Sequence, residues 1–365
     1  MKLSASRETL LKPLQAVIGV VERRQTMPIL ANVLLAAKDG QVEVTGTDLE
    51  VELVASVDVE VEAAGEVTVP GRKLLDICRA LPDEAEVSMS LSGEKLNVKS
   101  GRSKFSLMTL PAAEFPRIGD INAGQSLSVS QATLAKLLDK THFSMAQQDV
   151  RYYLNGLLLE TDEKCLRAVA TDGHRLALCE VELDGKKTPE QQVIVPRKGV
   201  LELQRLMGGD GELQIELGSN HIRIQLEGIR YTSKLIDGRF PEYERVIPQD
   251  TDNKLTADRE VFRGALQRTA ILSNEKYRGI RLIIKKDGLL LQAHNPEQEE
   301  AEEEVEITYG GDDIEIGFNV NYLLDALGAI ESETIELAVV DGNSSCLLRE
   351  PGNDECNYVV MPMRL

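Results

Sequence analysis

Short runs in which apolar and polar residues alternate fill most of this chain, and at six places the apolar spacing switches to three and four. Alternation of that kind puts one face of a strand in a core; the wider spacing puts one stripe of a helix there. The switches are not scattered. KLSASRETLLKPLQAV (2–17), QSLSVSQATLAKLLDKT (125–141) and KLTADREVFRGALQRTA (254–270) each run from a short strand through Ser, Thr or Asp into a helical pattern. Its apolar positions are Leu10, Leu11, Leu14 and Val17; then Leu134, Leu137 and Leu138; then Phe262, Ala265, Leu266 and Thr269. Leu3, Leu127 and Leu255 align, at offsets of 124 and 128. A second triplet, VTVPGRKLLDICRALP (67–82), VIVPRKGVLELQRLM (193–207) and IGFNVNYLLDALGAI (316–330), reads as strand, turn and amphipathic helix. A third, KFSLMTLPAAEFP (104–116), YTSKLIDGRFPEY (231–243) and NYVVMPMRL (357–365), closes each unit.

Landmarks in the same order in each third of a chain mark an internal repeat. The pattern predicts an α+β fold of three tandem domains, 1–121, 122–248 and 249–365, each with two helices packed on antiparallel sheets of about eight short strands. The six helices are expected over 7–24, 70–81, 132–148, 196–207, 258–278 and 319–331.

The repeat also sorts residues by purpose. The first unit carries TDLEVELVA (47–55) where the second carries TDGHRLALC (171–179). Asp in such a turn bonds nearby backbone N–H groups, so Thr-Asp belongs to the scaffold. His174 and Cys179 do not, and serve something that the middle unit alone does.

Composition narrows what that can be. The 365 residues are 42% hydrophobic and 4% aromatic, with no Trp. The longest apolar runs, such as GLLLE (156–160), fall far short of the ~20 residues of a membrane span, and MKLSASRETL turns polar too early for a secretory signal. Membrane association is therefore not expected, and the localisation expected is cytoplasmic, with the nucleoid. Five scattered cysteines without CxxC read as free, mostly buried thiols in a reducing compartment.

The net charge of −19 reads first as a soluble, self-repelling surface. Its distribution says more. The six helix windows hold 17 Lys and Arg against 10 Asp and Glu, a net of +7, which leaves −26 for the rest of the chain. Twelve such helices in a dimer, about 9 Å apart, would make a circle about 34 Å across at the axes and about 24 Å clear, wide enough for duplex DNA. A ring held by topology needs only weak, sequence-independent phosphate contacts, which permit sliding. Closing a ring also removes exposed sheet edges. SGRSKFSLM (100–108) offers a basic edge and NPEQEEAEEEVEI (295–307) an acidic one. The Glu run reads either as the complement of the basic edge or as a solvated, aggregation-resistant one.

FSMAQQDVRYYLNG (143–156), ATDGHRLA (170–177), VIVPRKGV (193–200), DGRFPEYERV (237–246), ILSNEKYRGIRL (271–282), NPEQEEAEE (295–303) and YVVMPMRL (358–365) resemble the bacterial DNA polymerase III beta subunits, the replicative sliding clamps. The resemblance runs from Met1 to Leu365, and the C-terminus is similar to gammaproteobacterial members. It implies three tandem DNA-clamp domains, a head-to-tail dimeric ring around double-stranded DNA, no catalytic activity and no cofactor. Implied partners are the clamp loader complex, the replicative polymerase alpha subunit, translesion polymerases, and mismatch-repair and ligase proteins, bound as short linear motifs in a cleft.

By resemblance that cleft comprises Leu154, Thr171, Gly173, His174, Arg175, Leu176, Pro241, Arg245, Val246, Tyr277, Asn319, Tyr322, Asn343, Ser345, Val359, Val360, Met361, Pro362, Met363 and Arg364. Their chemistry suits peptide capture. Leu, Val, Met and Pro make an adaptable apolar groove, and His174, Arg175, Arg245 and Arg364 can meet peptide carbonyls or acids. Tyr277 and Asn343 are departures, standing where some members have Phe and an apolar residue. DNA contact falls on Arg24, Gln148, Tyr152 and Tyr153, with Arg197 and Lys198 on a basic helix. As adjacent strand residues, one of the two tyrosines is expected to point inward. The implied dimer interface is Lys73, Arg102, Lys104, Phe105, Leu107, Ile271, Leu272, Glu297, Glu299, Glu300 and Glu302.

Two other chemistries are weaker. A Cys/His hydrolase would need His174 and Cys179 together, but five residues apart on one strand they face opposite ways. His142, His174, His221 and His294 lack metal-ligand spacing.

Overall fold

The computed structural model describes residues 1–21, 27–121, 123–183, 188–248, 253–286 and 288–364. Among them are six α-helices: α1 (Arg7–Val17), α2 (Gly71–Ala80), α3 (Gln131–Thr141), α4 (Arg197–Leu206), α5 (Arg259–Thr269) and α6 (Val320–Ala329). Each starts where a strand stops, and the last strand residue often serves as the cap. Ser6 accepts from the Thr9 N–H, Asp258 from Val261, and Asn319 from Asn321, satisfying donors that a helix start leaves free.

Three helices are shorter than their apolar spacing predicts. α1, α3 and α5 end after eleven residues and tighten into 3-10 turns, Ile18–Val20, His142–Ser144 and Ala270–Leu272. After α5 a polar side chain competes for the backbone: the Asn274 carboxamide oxygen accepts from the N–H groups of Lys276 and Tyr277, which turns the chain rather than extending the helix; residues 22–24 of the first window lie outside the described residues. The observed helices still hold 13 Lys and Arg against 6 Asp and Glu, so their net charge remains +7.

Among the described residues, twenty-six strands form four sheets, all of their pairings antiparallel. The two larger sheets cross between repeats. In the eight-stranded sheet, Val51–Asp58 of the first repeat pairs with Ile229–Lys234 of the second, Leu53 opposite Tyr231. In the nine-stranded sheet, Arg175–Glu182 of the second pairs with Cys356–Val360 of the third, Leu176 opposite Val359. Because strands are shared in this way, the chain packs as two compact units, Met1–Ala132 with Lys198–Leu235, and Thr133–Arg197 with Ile236–Leu365. Among the described residues the five-stranded sheet has Ser103–Met108 and Glu60–Ala63 as its edge strands, and the four-stranded sheet has Glu300–Val305 and Ile314–Asn319.

The crossing at Cys356–Val360 brings two of the five cysteines together. Cys179 and Cys356 stand directly opposite, their Cα atoms 4.2 Å apart, while Cys78, Cys165 and Cys346 are free thiols. Partners 177 residues apart in sequence are brought together only by strand register. Among the described residues no helix is long and apolar enough to cross a membrane.

Candidate functional site

The Thr-Asp turns are built alike. Thr47 donates to the Val51 carbonyl at 2.9 Å while Asp48 accepts from the N–H groups of Glu50 and Val51. Thr171 donates to the Arg175 carbonyl at 2.6 Å while Asp172 accepts from His174 and Arg175. The second turn differs in what is laid over it. Gly173 has φ +87°, and a Cβ there would stand 2.9 Å from Arg151 Nη1. Glycine therefore serves both the left-handed turn and the close seat of Arg151, whose Nη2 donates to the Asp172 carbonyl at 3.2 Å. Hydrogen bonds from the Arg151 side chain and N–H drop the Asp149 pKa to about 2, so the pair stays charged and holds this loop.

Beyond the turn lies a cavity of about 180 Å³. Leu154, Thr171, Gly173, Arg175, Leu176, Pro241, Val246, Val359 and Met361 line it, all of them expected there, and Arg151, Tyr153, Glu242 and Tyr243 join them. Its floor is an apolar cluster of Leu158, Val169, Leu176, Leu178, Ile194, Phe240, Tyr243, Ala338, Leu347 and Val359. An apolar pocket with a few polar groups at its mouth is the common form of a ligand site. Burying one Leu-sized side chain here stabilises a complex by about 1.5–3 kcal/mol. Tyr243 was missed by sequence reasoning because YERV reads as a polar loop; the signal was the lone aromatic between charged residues.

A second hollow, about 310 Å³, brings Tyr277, Met363 and Arg364 together with Asn274, Gly279, Gln292, Ala293 and His294. Two backbone bonds fix the segment between the hollows: Met361 N–H to the His174 carbonyl at 2.9 Å and Met363 N–H to the Gly317 carbonyl at 2.8 Å.

Several expected cleft residues do other work. Val360 is 1% exposed and lies in the core of the third repeat, because residues alternate along Cys356–Val360 and only Val359 faces the cavity. Arg175 is held on every side: by Asp172 at 3.2 Å, Asp325 at 2.5 Å and the Phe143 carbonyl at 2.8 Å, with its guanidinium over the Tyr322 ring. It ties the second repeat to α6, with Tyr322 as its platform, while it also lines the cavity. Arg245 is exposed and paired with Glu242, and lines a separate hollow behind the Phe240–Arg245 segment. His174, Asn343, Ser345, Asn319 and Pro362 line neither the cavity nor the second hollow; Asn319 caps α6.

Of the residues expected to face DNA, Arg24 lies outside the described residues. Gln148 and Tyr152 are exposed together on the loop that Asp149 and Arg151 hold, whereas Tyr153 packs against the cavity floor. One tyrosine is inward and one outward, but they sit in a 3-10 turn, Tyr152–Leu154, not in a strand. Lys198 pairs with Asp48 at 2.5 Å, and burial together with the Arg175 charge lowers the pKa of Arg197. Much of the helical positive charge is likewise spent locally, as in Lys136–Glu355 and Lys140–Glu331. Lys12, Lys73 and Arg79 pair with no acid among the described residues.

On the Ser103–Met108 edge strand, Lys104 is exposed, as is Arg102 in the turn before it; Phe105 is half-buried, and Leu107, at 8% exposed, faces its own core instead of offering an open apolar surface. Ile271 is 74% exposed and Leu272 half-buried. Glu297, Glu299, Glu300 and Glu302 are all exposed.

Comparison with known proteins fits this geometry. Family models of the DNA polymerase III beta subunit match three times: the N-terminal domain over residues 1–119, the central domain over 128–242 and the C-terminal domain over 244–364. The beta sliding clamps of Pseudomonas putida and Escherichia coli K12 are 54% and 51% identical to the chain, each over 100% of both sequences. A crystal structure of the DNA polymerase III subunit beta from Pseudomonas aeruginosa, 54% identical, superposes with a TM-score of 0.98 over 100% of both chains. A second from the same organism, also 54% identical with full coverage of both chains, was solved bound to griselimycin and superposes at 0.97. Three clamp domains in tandem, matched end to end at this identity, place the chain in the DNA polymerase III beta subunit family, the bacterial sliding clamps.

Proposed function

We propose that two copies of this chain close head to tail into a ring around double-stranded DNA, with the boundaries of its three clamp domains at 121/122 and 248/249. The family is one of processivity subunits, not catalysts. The observation that carries the ring is a pair of edge strands: one edge with exposed Arg102 and Lys104, the other bearing exposed Glu300 and Glu302. Opposite charges set the register of such a junction more than its strength, and each edge supplies what the other's backbone lacks.

The cavity lined by Leu176, Pro241, Val246, Val359 and Met361 is the docking site for short partner segments. The replicative polymerase alpha subunit, translesion polymerases, mismatch-repair proteins and ligase would take turns in it, and the clamp loader would place the ring. Two apolar anchors and a few polar contacts support about micromolar binding, ~8 kcal/mol, weak enough for exchange. Gln148 and Tyr152 would touch DNA without reading sequence, and work in the cytoplasm is the setting this implies.

The test is topological. With a clamp loader and ATP, the chain should stay on nicked circular DNA through gel filtration and be lost once the circle is cut. Stable retention on short open-ended duplexes at moderate salt would overturn the ring.

A further inference from the structure

Four residues stand in a row across four neighbouring strands. Gln192, Glu160, Arg167 and Glu180 are direct register partners, each opposite the next, on Gln191–Pro196, Gly156–Asp162, Cys165–Thr171 and Arg175–Glu182. Gln192 Nε2 donates to Glu160 Oε1 at 2.7 Å; Arg167 donates to Glu160 Oε2 at 3.1 Å and to Glu180 at 2.7 Å. Cross-strand pairs of this kind have their geometry fixed by the sheet.

Tyr243 stands on this row. Its ring belongs to the cavity floor, while its hydroxyl donates to Glu160 Oε2 at 2.5 Å and accepts from Arg167 Nη1 at 2.9 Å. Burial opposes the charge on Glu160, but hydrogen bonds from Tyr243 and Gln192 and the Arg167 charge hold its pKa below the usual carboxylate value. Glu160 therefore stays ionised at neutral pH, and the half-buried bonds of Glu160 and Arg167 tie the Tyr243 hydroxyl to strands whose spacing the sheet fixes.

The segment that Tyr243 belongs to needs such an anchor. Phe240–Arg245 has the 180 Å³ cavity in front of it and a hollow of about 290 Å³ behind it, lined by Glu160, Gln192, Arg239 and Arg245. It lies in no sheet. With space on both faces, its position is set by the inward side chains of Phe240 and Tyr243.

We infer that Glu160 and Arg167 are positioning residues for the cleft: through the Tyr243 hydroxyl they fix the wall that presents Pro241 and Val246, and so set how long a docked segment stays. The inference rests on the cavity being the docking site. In the intact chain, Tyr243→Phe keeps the ring and removes the foothold. A fluorescein-labelled peptide with two leucines should bind it about five- to tenfold more weakly, the worth of one hydrogen bond. The loss should appear in the dissociation rate, and amide exchange over 241–246 should quicken without peptide. Glu160→Gln, which keeps an acceptor for the hydroxyl, should stay within about twofold of wild type, whereas Glu160→Leu should match Tyr243→Phe. Wild-type affinity and unchanged exchange in Tyr243→Phe would overturn the inference, as would equal losses in Glu160→Gln and Glu160→Leu, which would place the effect on the Glu160 charge and not on its bond to the hydroxyl. If the wild-type chain fails to hold the peptide, the docking reading falls and takes the inference with it. Should Tyr243→Phe misfold, the two Glu160 variants decide alone.

Discussion

The Arg175 guanidinium lies 4.6 Å from the centre of the Tyr322 ring, stacked as a cation over its face. The contact reaches from the Thr-Asp turn of the second repeat to α6 of the third, and Asp325, one turn further along α6, adds an ion pair. Arg175→Lys should keep the charge but lose the planar fork and the stack. Urea unfolding should show a loss of about 1–3 kcal/mol, whereas Asp325→Asn, at a half-exposed carboxylate, should cost under about 1 kcal/mol. Equal losses would mean that the ion pair, not the stack and the buried bonds, holds the junction.

The tail segment Met361–Met363 is pinned by its own backbone to His174 and Gly317. Removing residues 361–365 strips Met361 from the cavity and Met363 and Arg364 from the second hollow, while both edge strands stay intact. Peptide binding by anisotropy should disappear and the dimer should persist in light scattering. Loss of both together would show that the cleft is misplaced.

Phe105 is half-buried on the basic edge strand, and Leu107, two residues on along the same face, is buried. Phe105→Glu should give monomers with a nearly unchanged melting temperature. Leu107→Glu should lower stability by about 3 kcal/mol or more, because it buries an unpaired charge. A dimeric Phe105→Glu would remove this strand from the interface.

Asp149 titrates unusually low because Arg151 bonds its charged form. A carboxylate depressed in the folded state stabilises the loop above the unfolded value of about 3.9, and that contribution is lost as pH falls through the folded value. Carbon-13 NMR should find the Asp149 carboxyl titrating near 2, and Arg151→Ala should return it toward 3.8. A normal midpoint in the unaltered chain would mean that the loop bearing Gln148 and Tyr152 is not held this way.

The repeat was legible because each copy restates the same strand-to-helix switch; Leu3, Leu127 and Leu255 mark it, and all three are buried. The Thr-Asp turn was legible because its bonds are local. What escaped were relations set by register. Nothing near Cys179 announces Cys356, and Val359 and Val360 look equivalent until alternation assigns one to the cavity and the other to a core. Arg175 has the chemistry of a peptide contact, and only Asp325, 150 residues away, reveals that it also ties the turn to α6. The helix ends were overrun because charge and apolar spacing continue past Ser273 while the Asn274 turn has already broken the backbone ladder.

The sheet that runs unbroken from Val51–Asp58 into Ile229–Lys234 limits how this chain can be divided. A fragment cut between the first two repeats would leave an eight-residue strand with an unmated backbone, ready to stick to its own kind. Expressed apart, the halves should aggregate; expressed together, they should find each other, so the pairing of Leu53 with Tyr231 offers a natural seam for a split clamp that reassembles.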